Sequence, residues 1–382
     1  MTASLNEKLR NVKWGDYRMG NLFQRIETKK LPYKADELPN QPKGKNVLPC
    51  LTSSFNNQGL NYYAPIEGAT VLKNVISIPS NSDVYRAYYQ SRDFTVLSDA
   101  YAIRWKFDDR EITSNQYLFM VMCINKVTDL ATYSYKNKLG GWNVVKDKYI
   151  KLPQKDGMID FDFMESFIAD LKAARIAKLS AYLTASGLDN CELSKDEKQA
   201  IETFTQGNIE FDGFRFDVIF NHIKQGRRLK KEDQLPGNIP FVMSGVTNTG
   251  VVGYISNPVA RFPSNSITID IFGNSFYRSY AFGAGDDTGV YWNDKIPYNP
   301  QIMLFFTTAM EKALLGKFSY GKKLRSSQSN AFKMLLPTKG SNPDYQAMEL
   351  LISAIQKLVI KDVVLYAEKK VAGTERVVSS KE

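Results

Sequence analysis

The sequence predicts an α+β protein in which two pseudo-two-fold-related, mixed α/β globular units are separated by two long antiparallel helices that pair as a coiled coil. Three observations predict it. Residues 152–168, LPQKDGMIDFDFMESFI, match 336–352, LPTKGSNPDYQAMELLI, at a constant offset of 184, so a globular unit followed by a helix occurs twice. β-branched and aromatic runs bounded by Pro, Asn and Gly fill the body of each copy. After each Leu-Pro, apolar residues recur at the 3-4-3 spacing of a helix seam.

Each copy opens on an aromatic segment, WGDYRMGNLFQRI from Trp14 and FDGFRFDVIFNHI from Phe211, aligned at offset 197. The middle reads as short strands with Asn/Gly turns: VLPCLTSSFNNQGLNYY against NIPFVMSGVTNTGVVGY at offset 191. Val75-Ile76-Ser77-Ile78 and Ile267-Thr268-Ile269-Asp270-Ile271 are the clearest strands. The Tyr-Arg of DVYRAYY aligns with that of NSFYRSY at offset 192 and YKNKL with YGKKL at 185, so the copies share a core and differ by loop insertions. Further helices are predicted near Asn115–Asn125 and Pro300–Leu315.

The long helices start at N-caps Asp160 and Asp344, and Gly187 ends the first. Met164, Ile168 and Leu171 in one, and Met348, Ile352 and Ile355 in the other, form the expected pairing seam. A helix lying on its own domain would show a broader stripe, so the narrow spacing favours a helix partner. From Asp160 to Gly187 the helix would be about 40 Å long. CELSKDEKQAIETFTQGN is expected to be an acidic linker with a short helix over Lys195–Phe204, and the tail Glu368–Glu382 is expected to fray. The resulting boundaries are 1–155 for the first globular unit and 156–205 for the first long helix with its linker. Residues 206–340 form the second unit, and 341–382 the second helix and tail.

Charge separates the two kinds of segment. Residues 1–155 carry +9 (23 basic, 14 acidic) and 206–340 carry +6 (16 basic, 10 acidic), whereas 156–205 carry −5 and 341–382 are neutral. Globular units with the positive excess are expected to face a polyanion, and the helices to face protein. No apolar run approaches the length of a membrane span and the first residues lack an apolar signal core, so a cytoplasmic location is expected. Cys50, Cys123 and Cys191 lack any paired spacing and are expected to be reduced thiols, mostly buried.

Common catalytic patterns are missing. The chain has one histidine, His222, no GxxxxGK[ST] loop, no GxGxxG after a strand, and no Asn/Asp-Pro-Pro-aromatic tetrapeptide. Asp16, Glu27 and Lys29 form a loose Asp…Glu-x-Lys pattern that would suit a magnesium-dependent nuclease, but the second copy has no equivalent. No catalytic or metal residue is therefore assigned.

What does recur is aromatics interleaved with basic and amide side chains, which can neutralise phosphates and read base edges. The candidate contacts are Tyr85 and Arg86, with Tyr277 and Arg278 as their counterparts; Lys136 and Lys138, with Lys322, Lys323 and Arg325; and the turns at Asn56, Asn57 and Gln58 and at Thr247 and Asn248. Lys29, Lys30, Arg227 and Arg228 are basic stretches that would serve as phosphate clamps or as solvated loops.

In this order and in duplicate, the paired openings WGDYRMGNLF and FDGFRFDVIF, NVISIPSNSDVYRAYYQ with TVLSDAY, and YKNKLGGWNVVKDKYIKLP leading into IDFDFMESFIADLKAARIAKL resemble the specificity subunit of Type I restriction-modification systems. The related separate specificity subunit of Type IIB restriction enzymes is similar. The resemblance covers residues 10–370. It implies two target recognition domains, each reading half of a bipartite duplex DNA target, with the helices as a ruler. It also implies that catalysis resides in methyltransferase and nuclease partners, separate or fused, with S-adenosylmethionine and magnesium as their candidate cofactors and none in this chain. The alternatives are a self-sufficient nuclease built on Asp16, Glu27 and Lys29, and a basic tandem-domain scaffold for RNA or protein.

Overall fold

A computed structural model describes the backbone of residues 3–258 and 261–379, and side chains through residue 373. Contacts divide the chain into two compact units, Met1–Leu179 with Gly373–Glu382, and Ser180–Ala372.

The first unit contains helix α1 (Ala3–Asn11), strand β1 (Lys13–Arg18), the one-turn helix α2 (Met19–Leu22), and strands β2 (Phe23–Arg25), β3 (Asn46–Leu51) and β4 (Leu60–Pro65). There follow β5 (Val75–Pro79), β6 (Tyr88–Gln90), β7 (Thr95–Val96), β8 (Ala100–Trp105), α3 (Ser114–Thr128), α4 (Trp142–Val145), β9 (Tyr149–Lys155), β10 (Met158–Ile159) and α5 (Phe161–Ala185). They form three small sheets, ordered β1-β9-β10, β2-β8-β5-β6 and β4-β3-β7. Every residue of β5 is buried, the polar Ser77 included, as in a strand covered on both faces. Helix α3 begins at the Thr113 cap, whose hydroxyl accepts from the Gln116 amide at 3.2 Å, and packs beside β9 and β6.

The second unit takes in the last residues of α5 and then helix α6 (Lys195–Thr205). Strand β11 (Phe211–Arg215), α7 (Phe216–Ile219), β12 (His222–Gln225), β13 (Pro236–Val242), β14 (Val251–Ile255), β15 (Arg261–Phe262), β16 (Ser266–Asp270) and β17 (Ser275–Arg278) follow. The unit ends with β18 (Phe282–Ala284), β19 (Thr288–Trp292), α8 (Pro300–Leu314), β20 (Lys333–Lys339), β21 (Asn342–Pro343) and α9 (Tyr345–Ser379). Its sheets, β11-β20-β21, β12-β19-β16-β17 and β14-β13-β18-β15, repeat the first set, with β15 standing where the first unit has only the Leu72–Phe94 bridge. The registers carry the sequence repeat: Trp14 lies opposite Pro153, and Phe211 opposite Pro337. Left-handed Asn74 and Asn265 are equivalent too, and accept a hydrogen bond from Tyr89 at 3.0 Å and Tyr277 at 3.1 Å respectively.

The long helices begin where their caps predict. Asp160 accepts from the Phe163 amide at 2.8 Å and Asp344 from the Ala347 amide at 3.0 Å. Gly187, at φ +64°, ends α5 with the Leu188 amide bonded back to Leu183. The tail expected to fray is helical through Ser379, and residues 380–382 lie outside the described residues.

The seam reading needs correction at its start. Met164 and Ile168 are buried in the first unit's core with Leu171 packed against it, and Met348 is buried in the second unit's core. A 3-4 stripe docks a helix on any apolar surface, and here each helix begins on the core of its own unit. Ile352 is half-buried and Ile355 is 47% exposed. Farther along, Leu183, Val364 and Ala367 are buried.

The acidic segment expected to be a linker is part of the second unit. Glu197, at the third position of α6, is 4% exposed. It accepts from the Ser194 amide at 2.7 Å, the Ser353 hydroxyl at 2.6 Å and the Lys357 ammonium at 2.9 Å, tying α6 to α9. Burial pushes this carboxyl upward, but the bonds from Lys357, Ser353 and Ser194 outweigh it and hold its pKa at about 2. Among the described residues, no helix is long and apolar enough to cross a membrane.

Candidate nucleic-acid interface

Strands β3 and β4, and equally β13 and β14, are joined by a tight turn with the same unusual backbone. Asn57 (φ 46°, ψ 39°) and Gln58 (φ 54°, ψ 29°) are consecutive left-handed residues, and Asn248 (φ 47°, ψ 37°) and Thr249 (φ 52°, ψ 29°) repeat them within 2°. Two adjacent non-glycine residues in this region cost roughly 2–4 kcal/mol per turn. Asn tolerates it best, because its short amide can bond locally; Gln and Thr have no such excuse. A glycine follows in both, and a Cβ at Gly250 would stand 2.6 Å from the Met243 carbonyl oxygen.

Specific bonds hold the turns. Thr52 donates its amide to Gly59 and Met243 to Gly250, each at 2.9 Å. The Ser53 amide donates to Asp99 at 3.1 Å, and the Ser244 amide to Asp287 at 3.0 Å. A side chain from the neighbouring hairpin then clamps each turn. In the first unit, the Gln90 amide donates to the Gln58 carbonyl at 3.3 Å and to the Ser77 hydroxyl at 3.0 Å. In the second, the Arg278 guanidinium donates to the Thr249 carbonyl, to the Thr249 hydroxyl at 3.0 Å, to the Thr268 hydroxyl at 3.0 Å and to Tyr280 at 3.3 Å. Above the clamp, Asn56, Asn57 and Gln58, and Thr247, Asn248 and Thr249, are exposed. They sit beside exposed apolar Phe55 (51%) and Val246 (66%).

This overturns two contact assignments and one alignment. Arg278 is 1% exposed, so it supports a turn from beneath and cannot itself reach a phosphate. Burial lowers its guanidinium pKa, with Tyr280 opposing the shift. Tyr85 is also 1% exposed and sits edge-on to Tyr133, while half-buried Tyr277 packs against the second core. The hairpin registers place Gln90 opposite Val75 and Arg278 opposite Ser266, making Gln90, not Arg86, the counterpart of Arg278. Arg86 is exposed but its Nε is spent on Asp129 at 2.6 Å, which holds its pKa raised. Sequence reasoning missed Gln90, because the identical Tyr-Arg pairs draw the alignment out of register, and it passed over Phe55 and Val246, whose exposure beside the turns no sequence pattern signals.

The remaining candidates are exposed. Lys138 lies over the Tyr135 ring and Lys323 over the Tyr320 ring, each 4.6 Å from the centroid, so the two loops again correspond. Lys136 and Lys322 lie beside these pairs and are exposed, as are Lys29, Lys30, Arg227 and Arg228. Exposed Arg325 donates to the Asp286 carbonyl at 2.7 Å. Such ammonium groups at the ends of loops can neutralise phosphates without fixing sequence.

Of the loose acidic pattern, Asp16 pairs with Lys151 at 3.4 Å, and the Lys29 amide donates to Thr70. Among the described residues no group of three His, Cys, Asp or Glu could hold a metal ion. His222 stacks on Trp292 at 4.6 Å and bonds Asp294 at 2.7 Å. Cys50 and Cys123 are buried free thiols, both pushed up to about 12 by burial, and Cys191 is half-buried.

Comparison with known proteins places these features. The model of the Type I restriction modification DNA specificity domain matches residues 11–181 and again 209–351. The specificity subunit S.BcgI of a Type II restriction enzyme from Heyndrickxia coagulans is 26% identical over 257 residues, covering 65% of this chain and 69% of that protein. The fold is similar to the crystal structure of a Type I restriction-modification S subunit from M. genitalium. The TM-score is 0.61 at 13% identity, over 97% of this chain and 95% of that one.

Proposed function

This chain belongs to the Type I restriction modification DNA specificity domain family and carries two such domains, and from that premise we propose that it reads a bipartite duplex DNA target, one half-site per unit. The observation that carries the proposal is the duplicated exposed turn, built on the same backbone in both units and bearing different side chains. Positive charge concentrated on the globular parts supplies the sequence-independent attraction to phosphates.

The long helices act as the ruler between the readers. Pairing of α5 with α9 in antiparallel fashion is supported by the burial of Leu183, Val364 and Ala367, residues late in both helices. At about 1.5 Å per residue, the 25 residues of α5 span about 37 Å, close to one turn of B-DNA. The chain itself does no chemistry in this reading. Methyl transfer and cleavage belong to modification and nuclease partners that bind S-adenosylmethionine and magnesium, and the complex works in the cytoplasm. A docking face for a modification subunit is supported by exposed Ile355, Leu358, Val359, Val363 and Tyr366, which recur at helical spacing along α9.

Purifying the tagged chain from its host and mapping methylated adenines in the genome tests this. The expected result is co-purification of a methyltransferase and a methylated motif with two specific halves and an unread spacer. DNA cleavage by the purified chain alone, or a genome without a bipartite motif dependent on this chain, would contradict it.

A further inference from the structure

The two turns differ at three exposed positions, share the exposed Asn57 and Asn248, and agree in the backbone that is held. Asn56 is replaced by Thr247, Gln58 by Thr249 and Phe55 by Val246, while the four backbone dihedrals and the two-point clamp are kept. The clamp uses a different residue in each unit, Gln90 or Arg278, for the same two targets: the carbonyl of the second left-handed residue and a hydroxyl on the central strand. Retention of a strained backbone under changing side chains is what two readers of different half-sites require. A surface turn without a task would relax to glycine or lose its clamp.

We propose that Gln90 and Arg278 are positioning residues that hold Asn56–Gln58 and Thr247–Thr249 as the base-discriminating turns of the two recognition units. The amides and hydroxyls of these turns are the donors and acceptors that discriminate base edges, and Phe55 and Val246 are apolar neighbours suited to a thymine methyl. Among the described residues the Arg278 guanidinium bonds only neutral oxygens, while the Asp270 and Asp287 carboxylates bond Ser244 and Gly245 at the base of the same turn. The clamp residue is cationic under the second turn and neutral under the first, so Arg278 adds an attraction to a polyanion that Gln90 does not.

The inference rests on the DNA-specificity reading, and its test separates the two. The full chain is assayed in complex with its modification partners by mapping the methylated motif. The double variant Thr247→Asn, Thr249→Gln moves the first turn's exposed side chains onto the second turn's backbone. It should change base preference in one half-site by about tenfold or more, leaving the other half-site unchanged and the Arg278 bond to the carbonyl of residue 249 in place. Arg278→Ala should relax the same half-site, and Arg278→Gln, the first unit's own solution, should restore its discrimination while weakening binding. An unchanged motif for the double variant would overturn the assignment of the turns, and full discrimination in Arg278→Ala would overturn the positioning role. If the wild-type complex yields no bipartite motif, the DNA-specificity reading itself fails.

Discussion

Replacing Lys357 with Met should release α6 from α9. Among the described residues, the perturbation removes the one cation bonded to Glu197, whose side chain is 5% exposed, and leaves the bonds from Ser353 and the Ser194 amide. Breaking a buried pair from one side costs about 3–5 kcal/mol. The 21% exposure of Lys357 and the two surviving bonds reduce this to about 2–3 kcal/mol. Burial raises this carboxyl's pKa, and the bond from Lys357 is the largest of those that bring it from 4.5 to about 2, ahead of Ser353 and Ser194. Hydrogen exchange of the α6 amides reads this locally, without assuming that both units unfold together, and protection should fall about 30- to 150-fold. The pH dependence follows from the sign of the shift. Because the folded pKa is depressed, the stabilisation is complete above about pH 4.5 and is lost as pH falls toward 2, so wild type and variant should converge in that window. Unchanged protection at pH 7, or a difference that persists undiminished at pH 2, would refute the reasoning.

Four further outcomes follow from the placement of individual side chains. Tyr85→Phe removes a buried hydroxyl with no hydrogen-bond partner among the described residues, so DNA affinity should not change and stability should hold or rise by up to about 1 kcal/mol in a melting assay; a drop in affinity would restore its role as a DNA contact. Met164→Ala empties a fully buried site and should destabilise the first unit by about 2–5 kcal/mol, measured as protease sensitivity. Val359→Asp, at a position 76% exposed, should leave stability within about 0.5 kcal/mol and abolish co-purification of the modification subunit; retained co-purification counts against the docking face. Lys136→Ala with Lys322→Ala should weaken binding of all duplexes alike and lower the slope of log affinity against log salt by about 0.9 for each phosphate no longer neutralised; an unchanged slope removes these loops from the interface.

Much of the architecture is legible in the sequence because repetition and local chemistry are. The 197 and 184 offsets survive as paired registers at Trp14–Pro153 and Phe211–Pro337. Asp160 and Asp344 cap as their neighbours dictate. Burial of polar groups is less legible. Arg278 reads as a phosphate ligand until its hairpin register turns it inward, and Glu197 reads as solvated linker charge until α9 supplies Ser353 and Lys357 from more than 150 residues away. The helix stripe shows a similar limit: spacing says that a face is covered, and only tertiary structure says that Met164 and Met348 are covered by their own units. The turns are visible as Asn/Gly sequences, but no propensity signals left-handed Gln58 or Thr249, since tertiary bonds impose that backbone on them.

Exchanging residues 206–340 for the corresponding unit of a relative with a different target, then mapping methylation by the reassembled complex, tests the central claim most directly. The account predicts a hybrid motif in which one half-site is new, the other is unchanged and the spacer length is preserved. Loss or alteration of both half-sites together, in a complex that still assembles and methylates, would contradict it.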